Sequence, residues 1–324
     1  MSASGSTRLW PTPDWTPGEL PRDFALPPEL GLGTTHALVV IWRGRLVFER
    51  YGPGHGPDEP LISWSVAKSF VHALVGILVR DGKLDPRARA DVPAWQRPGD
   101  ARAALTLESL LRMSSGLAWR EDYVDAEQSD VIEMLFGSGK DDVAGFAAAS
   151  PLVHPPDTVW CYSSGTSNVI ASIAGRAIGG GEPEYREFLR RELFARIGMR
   201  SATARFDAAG TWIGSSFVFA SARDFARFGT LYLRDGVWED ERVLPEGWVD
   251  HARRPTPGSA GEYGAHWWLP PGGEMFSANG YGGQYVFVAP ARDVVAVRLG
   301  ESTAEQQPLV RAWLAQLCER FPRV

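Results

Sequence analysis

Lysine is scarce in this chain: of 33 basic residues among 324, only Lys68, Lys83 and Lys140 are lysines and the rest are arginines. Cysteine is scarcer still, and Cys161 and Cys318 lie too far apart to suggest a disulfide framework or a cysteine metal cluster. No run of 18 uncharged apolar residues occurs, so no transmembrane helix is expected. Positive charge is not in excess either. The net charge of -6, a sequence pI of about 5.6 and the absence of a basic run give no sign of a nucleic-acid or anionic-membrane partner, and point to a small-molecule site. The histidines (His36, His55, His72, His154, His251 and His266) show no metal-ligand spacing, and there is neither a Gly-x-Ser-x-Gly elbow nor a phosphate-binding glycine loop. The first 25 residues carry Pro11, Pro13, Pro17 and Pro21 but no apolar stretch resembling a signal sequence, so the cytoplasm is the expected location.

What is present is an ordinary globular composition, 44% hydrophobic and 22% charged, in a chain long enough for two domains. His36 to Trp42 is an apolar β-branched run, Arg43-Gly44 supplies a two-residue turn, and Arg45 to Tyr51 completes an expected β-hairpin. A helix is expected from Ser65 to about Arg80, apolar on almost every side and stopped at Asp81-Gly82. Further helices are expected at Leu107 to Met113 with Thr106 as cap, at Glu184 to Ile197, and after Ser221. Short β-rich runs occupy Thr211–Ala220, Tyr263–Leu269, Met275–Asn279, Gln284–Ala289 and Val294–Leu299. The order predicts an α+β fold: an antiparallel sheet built from residues 1–83 and 201–324, a mostly helical domain over 84–200, and a cleft between them.

Against this background Ser65-Val66-Ala67-Lys68 stands out. A serine three residues before a lysine at the start of a helix puts hydroxyl and amine on one face, a turn apart. Lysine, unlike arginine, can release its proton near neutral pH. The bland alternative is an N-cap serine followed by a snorkelling lysine. The helix is too apolar for that, and a buried ammonium loses several kcal/mol of hydration unless paired or deprotonated. His72 lies on the same stripe, where a lone histidine is more often a hydrogen-bonded core residue. Trp160-Cys161-Tyr162-Ser163-Ser164-Gly165 offers a tyrosine at the entry to a helix, where a phenol can approach the amine; mutual proximity and desolvation are the expected means of bringing both groups toward neutrality. In Asn279-Gly280-Tyr281-Gly282-Gly283-Gln284, glycines let the backbone approach a ligand, and an N–H there could bind an oxyanion; a tight turn is the plain alternative.

These pieces, with Met113-Ser114-Ser115-Gly116-Leu117 and Trp119-Arg120-Glu121-Asp122-Tyr123, resemble the serine β-lactamase-like, penicillin-recognising family, and within it the 6-aminohexanoate-dimer hydrolase and class C-like esterase branch. The resemblance implies a β-lactamase/DD-peptidase-like fold and no metal or cofactor. It implies Ser65 as acylated nucleophile, Lys68 as its proton partner, Tyr162 as general acid/base, and an oxyanion hole from the N–H groups of Ser65 and Gln284. Tyr123, Tyr281, Gly282 and Gly283 are then substrate-binding. Where class C β-lactamases have Tyr-x-Asn this chain has Ser164, and where they have Lys-Thr-Gly it has Tyr281-Gly282-Gly283, which moves the expected chemistry from β-lactams toward esters and linear amides. The alternatives are a β-lactamase or D-Ala carboxypeptidase and, in another class, a non-catalytic acylated sensor. The sequence leaves the oligomeric state open.

Overall fold

The computed structural model describes residues 10, 11, 14–125 and 127–324; residues 1–9, Thr12, Pro13 and Ala126, part of the proline-rich arm among them, lie outside it. The hairpin forms as expected, with β1 (Thr34–Trp42) and β2 (Arg45–Tyr51) joined by Arg43 and Gly44, both at positive φ. That pair of conformations gives the turn the twist a two-residue hairpin needs. A short strand β3 (Leu61–Ile62) then leads into α1 (Val66–Arg80).

From 84 to 200 the described elements are helical: α2 (Leu107–Leu111), α3 (Asp130–Phe136), α4 (Val143–Ala148), α5 (Ser164–Ile178) and α6 (Glu182–Leu189), with short 3-10 and π turns. Helix α2 ends two residues earlier than expected because Met113 adopts a positive φ, although Thr106 caps it by accepting the Ser109 N–H. The expected helix to Ile197 is real but changes pitch after Leu189. The chain returns through β4 (Thr203–Ala204), β5 (Val218–Ala220), α7 (Ala222–Leu233), β6 (Val237–Trp238), β7 (Glu241–Arg242) and α8 (Trp248–Arg253). It finishes with β8 (Phe276–Gly280), β9 (Gln284–Ala289), β10 (Val294–Glu301) and α9 (Gln307–Glu319).

The main sheet has the order β2-β1-β10-β9-β8, so both ends of the chain build it, and its pairs are antiparallel. Side-chain alternation along β1 sends Val39 and Ile41 to the core shared with α1 and α7, and Leu38 and Val40 to the smaller core under α9. The sheet is thus buried on both faces, and β8 is left as an edge strand.

Two expectations need correction. Tyr263–Leu269 is not a strand, since Tyr263, Trp268 and Ser277 make only isolated bridges there, and Thr211–Ala220 is extended only at β5. Gly264 explains part of the first: a Cβ on it would stand 1.9 Å from the Ala252 carbonyl oxygen, so the loop is pressed against the end of α8 instead of running along the sheet.

Candidate active site

Ser65 stands at the N-terminus of α1 but does not cap it with its side chain. The residue before it, Trp64, has φ 44°, a left-handed conformation that costs a bulky residue free energy and turns the serine sharply into the helix. Ser63 braces this turn: its N–H donates to the Val218 carbonyl at 2.8 Å, and its Oγ accepts from the Val218 N–H at 3.0 Å. The nucleophile candidate is therefore set on β3, β5 and α1 together.

Lys68, one turn on, is 1% exposed. Its Nζ donates to Ser65 Oγ and Ser164 Oγ, each at 2.8 Å, and to the Ser215 carbonyl at 3.0 Å. Three acceptors match the three protons of an ammonium. Burial nonetheless pulls the amine down to about 8, opposed by the Glu121 carboxylate. The N-cap reading of Ser65 and the snorkelling reading of Lys68 both fail on these contacts.

Tyr162 immediately precedes Ser163, whose Oγ caps α5 by accepting the Thr166 N–H at 2.9 Å. The approach is fixed from the end of α2, where the Met113 carbonyl accepts the Cys161 N–H at 2.8 Å. Ser65 and Trp268 lie close enough to the Tyr162 hydroxyl to ease its ionisation, and Lys68 Nζ lies 4.9 Å from its ring centre. Here the expectation of mutual activation is corrected. Burial, and then the Glu121 carboxylate, push the phenol above its ordinary range, because neither a low-dielectric site nor a nearby anion favours a phenolate.

Glu121 is the residue sequence reasoning passed over. Its Oε1 accepts from Ser164 Oγ at 2.5 Å and from the Tyr123 hydroxyl at 2.6 Å; its Oε2 accepts from Trp119 Nε1 at 2.5 Å and the Ser164 N–H at 2.8 Å. The signal was present in the Trp119–Tyr123 stretch, and what hid it was that its partners are remote in sequence. Tyr123 and Ser65 line the same cavity. Tyr281 closes the other side, its ring centre 5.2 Å from Tyr123 and 5.9 Å from Trp64.

A cavity of about 210 Å³ opens on Ser65, lined by Trp64, Tyr123, Val131, Ile132, Leu135, Phe136 and Tyr281 with Ser164 and Ser216. Gln284 is not in that lining: its carboxamide donates to the Gly300 and Tyr281 carbonyls and accepts the Gly300 N–H, which fixes the hairpin between β8 and β9 from behind. Gly282 and Gly283 form the turn itself at positive φ. Gly280 is needed for close approach, since a Cβ on it would stand 2.3 Å from the Ser63 carbonyl oxygen. His72 serves the core instead, in a chain through Tyr232 at 2.8 Å and His251 at 3.1 Å that ends on Glu108, and burial keeps it well below its usual range.

Fold and side chains together define a serine hydrolase. The chain belongs to the β-lactamase family, whose family model, described as Beta-lactamase, matches residues 34–319. A 6-aminohexanoate-dimer hydrolase of Paenarthrobacter ureafaciens is 28% identical over 308 residues, covering 86% of this chain and 75% of that protein. Among solved structures, a Bacillus anthracis protein provisionally named 6-aminohexanoate-dimer hydrolase superposes with TM-score 0.82 at 22% identity, over 98% of this chain and 91% of its own. A family VIII carboxylesterase superposes with TM-score 0.65 at 12% identity, over 88% and 93%. Among the described residues no helix is long and apolar enough to cross a membrane.

Proposed function

We propose that this protein hydrolyses uncharged esters and linear amides through an acyl-enzyme on Ser65, in the cleft between the sheet domain (1–83 and 201–324) and the helical domain (84–200). The observation that carries the proposal is the buried Lys68 amine 2.8 Å from Ser65 Oγ. With its amine titrating at about 8, roughly one Lys68 in ten is neutral at pH 7 and able to take the Ser65 proton as the hydroxyl attacks. Tyr162, held in its neutral form, is the donor to the leaving group, and the pair then runs in reverse to activate water.

The oxyanion is assigned to the N–H groups of Ser65 and Tyr281, with Tyr281 in place of Gln284. Ser277 exchanges both backbone bonds with Trp268, at 2.9 Å each, so its N–H and C=O face the edge of β8 away from β9. Alternation puts the Tyr281 N–H on that same edge, beside Ser63 and Ser65. Neither the Ser65 nor the Tyr281 N–H has an acceptor among the described residues. Gln284 lies on β9, flanked by β8 and β10, where backbone groups serve the ladder.

The substrate class follows from the cavity. Its lining holds no charged side chain, and about 210 Å³ is small for a ligand pocket, which suits a short apolar acyl group. Lys-Thr-Gly is missing from the turn before β9, and the Arg298 guanidinium behind that turn is buried and committed to the Gly283, Leu32 and Thr34 carbonyls, so a β-lactam carboxylate is not favoured there. The names of the relatives, a dimer hydrolase and a carboxylesterase, fit this class of bond. The test is a panel of p-nitrophenyl esters, linear amides and nitrocefin against the purified protein. Short neutral esters are expected to turn over fastest and nitrocefin slowest, with all turnover lost in Ser65→Ala; nitrocefin as the best substrate would overturn the assignment.

A further inference from the structure

The hydrogen-bond directions around Lys68 raise a question that the two-residue picture of Ser65 and Lys68 does not answer. A neutral amine keeps two N–H bonds and gains one lone pair, and it acts as a base on Ser65 only if that lone pair points at Ser65 Oγ. Lys68 Nζ has three oxygen neighbours: Ser65 Oγ, Ser164 Oγ and the Ser215 carbonyl. The carbonyl has no proton, so it always takes an N–H. Ser164 is different, because a hydroxyl can either accept from the amine or donate to its lone pair. In the second arrangement the base is spent on the wrong serine.

Glu121 removes that choice. Ser164 has one hydroxyl proton, and it is directed to Glu121 Oε1 at 2.5 Å, while the Ser164 N–H anchors the other carboxylate oxygen at 2.8 Å. Ser164 Oγ can then only accept from Lys68. The Tyr123 hydroxyl is committed the same way, donating to Glu121 Oε1 at 2.6 Å, so toward any other neighbour it can offer only lone pairs. Trp119 Nε1 holds the carboxylate in place from the far side at 2.5 Å. The one proton left free to move toward the amine is that of Ser65.

We infer that Glu121 is a positioning residue of the acylation step, fixing the direction of the Ser164 and Tyr123 hydroxyls so that the Lys68 lone pair is aimed at Ser65. The inference rests on the proposed Ser65–Lys68 chemistry and adds a residue that touches neither substrate nor the reacting atoms. The titratable groups facing Lys68 are Glu121 from the loop after α2, Tyr162 ahead of α5, and His266 from the loop before β8. His266 is tied to Ser167 at 2.9 Å and the Leu111 carbonyl at 2.8 Å, and burial takes it down to about 3, so it stays uncharged through the working range. Glu121 is thus the anion that supports the charged form of Lys68.

Glu121→Gln tests this. The amide donates to Ser164 and frees the Ser164 proton to occupy the lysine lone pair. On a short p-nitrophenyl ester, kcat at the pH plateau is expected to fall on the order of 100-fold, with KM nearly unchanged. The acid limb of the kcat/KM profile is expected to move to lower pH, because the ammonium loses its anion; a merely structural role would lower the rate without moving the limb. Ser164→Ala, which keeps the carboxylate and removes the relay hydroxyl, should give a similar fall in kcat at an unchanged Tm. The double variant should be little worse than either single one. A wild-type rate and limb in Glu121→Gln would overturn the inference, as would a wild-type rate in Ser164→Ala should Glu121→Gln fail to fold. Ser65→Ala separates the two levels: residual turnover there sinks the underlying chemistry, whereas a dead Ser65→Ala beside an unaffected Glu121→Gln sinks only the role of Glu121.

Discussion

Lys68→Arg and Lys68→Ala are each expected to lower kcat/KM on a short ester by roughly 10⁴-fold or more. The two substitutions ask different questions. Alanine removes the base and leaves Ser164 and the Ser215 carbonyl without their donor. Arginine restores positive charge and hydrogen bonds but cannot release a proton near neutral pH. If the role of Lys68 were only to hold a positive charge beside Ser65, arginine would restore part of the rate. The base role requires that it restores none. The wild-type pH profile supplies the companion observation. On the proposed base role the reactive form is the amine, so kcat/KM should rise with pH and level off above about 8, where burial brings the titration of Lys68. The sign is set by desolvation, which destabilises the ammonium; a rate that falls as pH rises through that range would contradict the assignment.

Tyr162→Phe is the second large effect, an expected loss of about 10²- to 10⁴-fold, and its size should depend on the leaving group. The hydroxyl is kept protonated by burial and by the Glu121 carboxylate. A group held in its acid form is suited to protonating a departing alkoxide or amine. A p-nitrophenolate departs without help, so the variant should retain more activity on p-nitrophenyl esters than on alkyl esters or anilides. Equal losses across that series would mean that Tyr162 acts mainly as the base on Ser65. The ring packs 5.3 Å from Trp268, and phenylalanine keeps that packing, so a change in Tm should be small.

Much of the fold was legible because its signals are local. An apolar β-branched run followed by Arg43-Gly44 predicted the β1–β2 hairpin, and an all-round apolar stretch stopped at Asp81-Gly82 predicted α1, which ends at Arg80. Strand β9 ran from Gln284 to Ala289 as read from its β-branched and aromatic content. Tyr263–Leu269 misled for the converse reason. Its aromatic residues look like a strand in isolation, yet Tyr263 and Trp268 pack in a cluster with Trp160 and Tyr162.

The site divides along the same line. Ser65 and Lys68 lie one helical turn apart, so spacing alone brought them together. Tyr162 was visible as a residue but not in its titration, which depends on burial and on a carboxylate 41 positions earlier in the chain. Glu121, Ser164 and Ser215 meet Lys68 or each other across three separate segments, a set that no periodicity encodes. The proposed oxyanion partner turns on strand register: Gln284 and Tyr281 are three residues apart, and the pairing of Ser277 with Trp268 tells which backbone groups of β8 face away from β9.

The account stands or falls on Ser65 as the atom that becomes acylated. Treating the folded protein with a fluorophosphonate and mapping the adduct by peptide mass spectrometry tests this most directly. One adduct per chain is expected, on Ser65, formed faster as pH rises toward about 8 and absent in Ser65→Ala. A stoichiometric adduct on any other residue, or unchanged labelling of Ser65→Ala, would contradict it.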